Sequence, residues 1–237
     1  MPINKPSLKL SLSLLNAGSG YETFENQNLR NRFSALHNQM RQMPGYHFKE
    51  ASDAPDYTGI CQSGFFAISQ GFRLYNHNED IFVHACRETP HYKGAFSGDK
   101  FHISVLNEQL PQAFQALSGL LFSEESPVDK WKVTDMARVA QPSRVSVGAQ
   151  FTLYIKPDQG NSQYSVALLH KTRQFLECLE SSLSEYGVMP GQRPESDVHP
   201  ENWRYLSYRN ERRSDREGGE IQSQALREEP FYRLMTE

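Results

Sequence analysis

The chain has 237 residues, of which 38% are hydrophobic and 22% charged, and its net charge is −3. This composition predicts a soluble globular protein with enough residues for one sizeable domain or two small ones. The charge balance gives no support for nucleic acid or an acidic membrane surface as a partner. No window approaches the ~20 apolar residues of a membrane span. The N-terminus also lacks the pattern of a secretory signal peptide, which argues against general export.

The cysteines and histidines provide neither a disulfide framework nor a metal-binding motif. The three cysteines, Cys61, Cys86 and Cys178, are odd in number and widely spaced, which favours a reducing compartment. The sequence contains no C-x-x-C, no H-E-x-x-H and no G-x-x-x-x-G-K-[ST] motif. We therefore expect no metal site.

The N-terminal stretch alternates leucine with polar residues, which predicts a strand. Leu8, Leu10, Leu12 and Leu14 form this ladder, and a polar run that reads as a loop or linker follows it. From these residues alone, two interpretations are open. The stretch is an edge strand of the domain, which we favour because terminal strands are common, or an extended peptide that adds itself to a groove on a partner.

Segments with the apolar spacing of helices and segments with that of strands then follow each other along the chain. Apolar residues at helical spacing predict amphipathic helices over 28–43, 107–122 and 165–187. Short runs that alternate apolar and polar residues predict strands over 80–88 and 99–106. The mixture of helices and strands indicates an α+β domain.

Two further segments carry polar residues of interest. Ser126 and Pro127 suit the cap and first turn of a short helix, which would carry 129–136. Strict alternation over 143–157 predicts a strand that Gly148 bends or splits. Beyond residue 197 the chain reads as polar and loop-rich, interrupted by 201–211.

The polar faces of two predicted strands suggest an anion site. Lys100 and His102 lie on the polar face of the strand predicted over 99–106. Arg144, Tyr154 and Lys156 lie on the polar face of the strand predicted over 143–157. If both strands belong to one sheet, these cations crowd together unless an anion such as phosphate binds among them. The alternative interpretation is an ordinary sheet with one face in water.

The charged run near the C-terminus and the missing nucleophile bear on the chemistry of such a site. Arg209, Arg212, Arg213 and Arg216 lie in "YRNERRSDRE", which is either a solvated segment or a loop that closes the site. None of the three cysteines is followed by the arginine that cysteine phosphatases require. A cationic site with histidine and lysine suits elimination, in which a base removes a proton and an acid protonates the leaving oxygen.

Five segments carry a resemblance to a known family: "GDKFHISV", "SPVDKWKVTDM", "RVSVGAQFTLYIKP", "HPENWRYLSYRNE" and "ALREEPFYRLMTE". They closely resemble the phosphothreonine lyase family of type III secreted effectors, the SpvC/OspF kind, and the match runs through essentially the whole chain. The resemblance implies a single α+β domain with a mostly antiparallel twisted sheet flanked by helices. It also implies an irreversible β-elimination that removes phosphate from the phosphothreonine of a pT-x-pY loop in host MAP kinases, leaving dehydrobutyrine without a metal or cofactor.

The same resemblance implies roles for the individual residues. Lys132 would be the general base, His102 the general acid and Lys100 the cation that stabilises charge on the substrate carbonyl. The substrate-binding residues would be Arg144, Tyr154, Lys156, Arg209 and Arg216, with Lys156 serving the phosphotyrosine. For these roles Lys132 must lose much of its preference for charge, through burial beside Trp131 or repulsion by neighbouring cations. His102 must arrive protonated.

The resemblance reverses the preference for an N-terminal edge strand. It implies that residues 1–25 form a flexible secretion and kinase-docking segment, with Lys5, Leu8, Leu10 and Leu12 as docking residues. Residues 26–237 would be the catalytic domain of a monomer that acts in the host cytoplasm and nucleus. The rival from another class is a non-catalytic phosphopeptide-binding module that masks the activation loop.

Overall fold

The architecture is an antiparallel sheet with helices, seen in a computed structural model that describes residues 24–77, 80–140 and 142–237. The described helices are α1 Phe24–Gln42, α2 Tyr57–Ile60, α3 Leu110–Leu121, α4 Arg144–Val147, α5 Val166–Glu185, α6 Glu220–Arg227 and α7 Pro230–Thr236. The described strands are β1 Phe66–Ser69, β2 Phe72–Tyr75, β3 Phe82–Arg87, β4 Asp99–Ile103, β5 Lys130–Thr134, β6 Phe151–Tyr154 and β7 Leu206–Asn210. They form one sheet in the order β1-β2-β3-β5-β6-β4-β7, and every neighbouring pair is antiparallel.

One face of the sheet carries the hydrophobic core. Alternate residues of a strand point to the same face, and Phe101, Trp131 and Phe151 are fully buried on it. The ring of Phe114 in α3 lies 6.2 Å from that of Trp131, and the ring of Phe231 in α7 lies 6.1 Å from that of Phe101. Helices cover this face. The polar residues that alternate with the core positions along each strand point to the opposite face of the sheet.

The α+β class and the antiparallel sheet with flanking helices are confirmed. The helices predicted over 28–43, 107–122 and 165–187 correspond to α1, α3 and α5, and the strands predicted over 80–88 and 99–106 correspond to β3 and β4. In these segments the apolar residues recur at the spacing of the element that forms, and the same residues are buried. The local sequence pattern therefore predicts the element correctly.

The helix predicted over 129–136 is wrong, because this segment contains strand β5. Trp131 and Val133 are buried on the core face, and the backbone of the strand pairs with β3 on one side and β6 on the other. The Ser126 hydroxyl accepts a hydrogen bond from the backbone of Val128 at 3.2 Å, so it caps a turn instead of a helix.

The strand predicted over 143–157 is also wrong in its first half, which forms the short helix α4. The backbone N–H of Ser143 donates to the Ser146 hydroxyl at 2.9 Å, which stabilises the first turn of the helix that starts at Arg144. At Gly148 the backbone of Gln192 comes so close that a Cβ atom would collide with its carbonyl oxygen. The glycine therefore ends α4 at a close backbone contact, and β6 begins three residues later at Phe151.

Several elements were not predicted. Strands β1 and β2 went unassigned, and the region beyond residue 197 holds β7, α6 and α7 although it reads as loop-rich. Lys5, Leu8, Leu10 and Leu12, together with the rest of the predicted docking segment up to residue 23, lie outside the described residues. The division into 1–25 and 26–237 therefore stays a prediction.

A buried ion pair fixes the start of β5. Arg87 Nε donates to Asp129 Oδ1 at 2.8 Å, and both side chains are at most 5% exposed. Arg87 also donates to the carbonyl oxygens of Ser123 and Ser126, and the second oxygen of Asp129 accepts from the backbone of Tyr92. The pair thus joins β3, β5 and two loops.

Replacing Asp129 with alanine leaves the Arg87 charge buried without its carboxylate. We expect Asp129→Ala to lower the free energy of unfolding by roughly 3–5 kcal/mol, measured by urea denaturation. The matched control is Glu177→Ala, which breaks the exposed pair with Arg173 and should cost at most about 1 kcal/mol. Equal effects of the two variants would show that the buried pair does not hold β5.

Candidate active site

The strand register brings the three predicted catalytic residues onto the face opposite the core. Lys132 of β5 is paired with Thr152 of β6, and Thr152 is paired with His102 of β4. Lys132 and His102 therefore lie on either side of Thr152, about 10 Å apart at two strand spacings. Lys100 precedes His102 by two residues and shares this face, which we call the catalytic face.

Lys132 is half-buried and has no charged partner. With the residues that the structure describes, its amine makes neither a hydrogen bond nor an ion pair, and Nζ lies 3.6 Å from the centre of the Phe82 ring. Burial lowers the pKa of Lys132 to about 8, and repulsion by Lys100 acts in the same direction. The apolar neighbour is Phe82 instead of Trp131, because Trp131 points into the core.

Lys100 has a carboxylate partner. Its Nζ lies 2.5 Å from Glu211 Oε1, and its side chain is 9% exposed while that of Glu211 is 42% exposed. Burial lowers the pKa of Lys100, but the hydrogen bond and the charge of Glu211 oppose that effect. The two lysines therefore differ in one respect that matters for proton transfer, since only Lys100 is neutralised by an anion in contact.

His102 is buried and oriented by Asp197. Its Nδ1 lies 2.6 Å from Asp197 Oδ2, and the Ser207 hydroxyl donates to the same oxygen at 2.8 Å. Burial alone would raise the pKa of Asp197, but the interactions with His102, Ser207 and Arg144 hold it below its usual range. Because Asp197 is ionised, Nδ1 donates the hydrogen, and Nε2 is directed away from the carboxylate.

The position of Asp197 depends on an extra backbone bridge at the sheet edge. Val198 pairs with Tyr208 of β7 through two hydrogen bonds of 2.9 and 2.7 Å. This bridge places the preceding residue beside His102. Burial lowers the pKa of His102, and Lys100 and Arg144 act in the same direction, while Asp197 opposes them. Sequence reasoning missed both Asp197 and Glu211, which lie in polar segments without a periodic pattern.

Arginines surround this part of the face. Arg209 of β7 is paired in register with Lys100, and it donates to the hydroxyl and carbonyl oxygens of Ser214 at 3.0 and 3.1 Å. Arg144 approaches from α4, with Nη2 3.7 Å from Asp197 Oδ1. Arg144 and Arg216 line one cavity of about 200 Å³. The predicted arginines thus come from three separate parts of the chain, and Arg144 reaches the site from a helix instead of from a strand.

Tyr154 lies between two lysines on the catalytic face. It is paired with Lys100 of β4 and with Lys130 of β5, and the Lys130 amine lies 5.0 Å from the centre of its ring. Burial raises the pKa of Tyr154 to about 12, so its hydroxyl is a hydrogen-bond donor at neutral pH. Lys156 follows two residues later, half-buried beyond the end of β6.

Comparison with known proteins identifies the family. The family described as OspF/SpvC matches residues 2–237. The chain belongs to the OspF/SpvC family. It is 70% identical over 241 residues to the MAPK phosphothreonine lyase of Salmonella typhimurium, with 100% of both chains covered. It is 60% identical over 240 residues to phosphothreonine lyase OspF of Shigella flexneri, again with 100% of both covered.

Solved OspF/SpvC structures share the fold. The Salmonella plasmid virulence C protein (SpvC) is 74% identical with a TM-score of 0.87, and the match covers 90% of this chain and 99% of that one. The VirA (SpvC) phosphothreonine lyase effector of Chromobacterium violaceum is 73% identical, with a TM-score of 0.87 and the same coverage. The family membership predicted from the five sequence segments is confirmed.

The site has the parts for proton transfer and anion binding. An amine with a lowered pKa and a histidine held by a carboxylate flank the same strand, and arginines border the histidine side. Among the described residues, no group of three or more His, Cys, Asp or Glu side chains is arranged to hold a metal ion. No described helix is long and apolar enough to cross a membrane.

Proposed function

We propose that this protein is a phosphothreonine lyase that removes phosphate by β-elimination from the doubly phosphorylated pT-x-pY activation loop of host MAP kinases. The observation that carries the proposal is the Lys132 amine, which has a pKa of about 8 and makes no ion pair with the described residues, across Thr152 from the His102–Asp197 pair. The names of its relatives, MAPK phosphothreonine lyase and phosphothreonine lyase OspF, support the substrate class.

In the proposed reaction Lys132 acts as the base. Its neutral amine takes the proton from Cα of the phosphothreonine, and the released electron pair forms the Cα=Cβ double bond. The bond between Cβ and the phosphate oxygen breaks, and the products are dehydrobutyrine and phosphate. A base is most effective when its pKa lies near the working pH, and burial together with repulsion by Lys100 lowers the pKa of Lys132 towards that range.

His102 protonates the departing phosphate oxygen. Asp197 accepts a hydrogen bond from Nδ1, so Nε2 is the atom that delivers the proton. In the free protein, burial lowers the pKa of His102. A phosphate dianion bound between Arg144 and Arg209 adds negative charge near the ring and raises its pKa. Substrate binding therefore favours the protonated form of His102, which is the form that can act as the acid.

Lys100 stabilises the enolate-like charge that develops on the substrate carbonyl oxygen. Its contact with Glu211 favours the charged amine, and the half-exposed Glu211 side chain can move aside when the substrate enters. A positioned charge of this kind acts strongly in a site from which water is excluded. Arg144, Tyr154, Arg209 and Arg216 bind the two phosphates in this proposal.

The proposal assigns Lys156 to the phosphotyrosine. It also takes the protein to be a monomeric type III effector that works in the host cytoplasm and nucleus. The type III effector and phosphothreonine lyase OspF from Shigella flexneri, whose solved structure is 59% identical to this chain, supports the route of delivery.

The test is the mass of the product from a pT-x-pY peptide. Elimination leaves a dehydrated threonine, hydrolysis leaves threonine, and a binding module leaves phosphothreonine intact. We expect the dehydrated product from the native protein and a loss of turnover of at least about 1,000-fold in Lys132→Ala. Peptide affinity should stay within about threefold, because the phosphate contacts remain.

The control for this experiment is Lys49→Ala, which removes an exposed lysine outside the site and should retain full turnover. Threonine or unchanged phosphothreonine as the product of the native protein would contradict the proposed reaction. Turnover retained by Lys132→Ala would remove Lys132 as the base.

The N-terminal segment is proposed to dock the kinase through Lys5, Leu8, Leu10 and Leu12. Deleting residues 1–20 should lower kcat/KM on the whole doubly phosphorylated kinase about tenfold, since docking raises the effective concentration of the loop. Turnover of a short pT-x-pY peptide should not change, because the peptide has no docking surface. An equal loss on both substrates would mean that the segment is part of the fold.

A further inference from the structure

Two large apolar side chains are exposed beside each other on edge strand β1. Phe66 is 62% and Ile68 is 59% exposed. They are two residues apart and so lie on the same face of the sheet. An exposed apolar pair on an edge strand is a site where a partner chain can bind, and proteins usually protect such edges with charged residues.

The register places this pair on the catalytic face. Phe66 is paired with Tyr75, Tyr75 with His84, and His84 with Lys132. The rings of Tyr75 and His84 stack, with centroids 5.1 Å apart and planes 12° apart. A row of aromatic side chains therefore runs across the strands from the base to the exposed edge.

We infer that Phe66 and Ile68 form a subsite for an apolar side chain of the substrate, about four residues before the phosphothreonine. This inference rests on the proposed function, because Lys132 fixes where the phosphothreonine lies. From β5 to β1 there are three strand spacings, about 14 Å in all, and an extended chain advances about 3.3 Å per residue. The occupant is therefore an extended part of the same substrate chain.

The charge distribution sets the direction of that chain. A second phosphate follows the phosphothreonine by two residues, so the C-terminal side of the substrate needs cations. Lys156, which the proposed function assigns to the phosphotyrosine, follows β6, and β6 lies next to β5 on the side away from β1. On the β1 side, Arg73 is paired with Glu88 at 3.6 Å. The N-terminal side of the substrate is thus the part that crosses the aromatic row to Phe66.

The experiment uses the full-length protein and two doubly phosphorylated peptides. The long peptide carries six residues before the phosphothreonine with leucine at the fourth, and the short one starts one residue before it. For the double variant Phe66→Ser/Ile68→Ser we expect KM on the long peptide to rise about tenfold with kcat unchanged, as for the loss of one buried apolar side chain. KM on the short peptide should change less than twofold.

A thermodynamic cycle links the subsite to its occupant. Replacing the leucine of the long peptide with serine should raise KM of the native protein to the same extent, and the double variant should then show no further increase. Tyr186→Ser is the matched control, since Tyr186 is 48% exposed at the end of α5 and should leave both KM values unchanged.

Four results with the peptides would overturn the subsite. They are an equal loss on both peptides, no loss on either, a loss that does not depend on the leucine, and a loss that disappears when residues 1–20 are deleted. A change in oligomeric state caused by the double variant would assign the pair to contact between two copies instead. The dissociation constants of both peptides test the subsite independently of turnover, so failure of the lyase reaction itself stays distinguishable.

Discussion

The site depends on two lysines that lie on one face of the sheet in different electrostatic environments. Lys100 and Lys132 are both shielded from water, and burial lowers the pKa of each. Glu211 contacts Lys100 at 2.5 Å and favours its charged form. Among the described residues the Lys132 amine makes no ion pair, although the charges of Asp80 and Glu211 partly oppose the lowering of its pKa by burial and by Lys100. The direct carboxylate contact favours the charged form of Lys100, and burial without such a contact favours a neutral Lys132 that can act as the base. A carboxylate placed in contact with Lys132 would therefore favour its charged form and weaken it as a base.

The antiparallel register turns this local difference into a site. Because β5, β6 and β4 are neighbours, residues that are far apart in the sequence line up across the sheet, with Lys132 and His102 on either side of Thr152. The opposite face is filled by aromatic core residues, which makes the strands rigid and fixes the distance between base and acid. The edge bridge at Val198 adds the last component by holding Asp197 against His102.

Local patterns predicted those parts of the site that depend on a single strand. The alternation around Lys100 and His102 placed them on one face correctly, because a period of two is a property of the strand itself. The strand around Lys132 was missed, since Ser126 and Pro127 resemble a helix start and pairing with two neighbouring strands overrode that signal. Arg144 was predicted on a strand, but it reaches the site from the short helix α4.

The partners that tune the site could not be predicted from the sequence. Glu211 is 111 residues from Lys100, and Asp197 is 95 residues from His102. The order of the strands and one backbone bridge at the sheet edge determine such contacts. Neither feature produces a periodic pattern in the sequence. The roles of the catalytic residues came from resemblance to the family, and the geometry of the face then gave each role a physical cause.

The most direct measurement is the titration of the Lys132 amine itself. The side-chain Cε resonance of Lys132, assigned by its absence in a Lys132→Met variant, is followed by NMR against pH in the free protein. We expect a midpoint of about 8, so that a substantial fraction of the amine is neutral at working pH. A midpoint near the ~10.4 of a free lysine would contradict the central claim that burial without a carboxylate partner makes Lys132 the base.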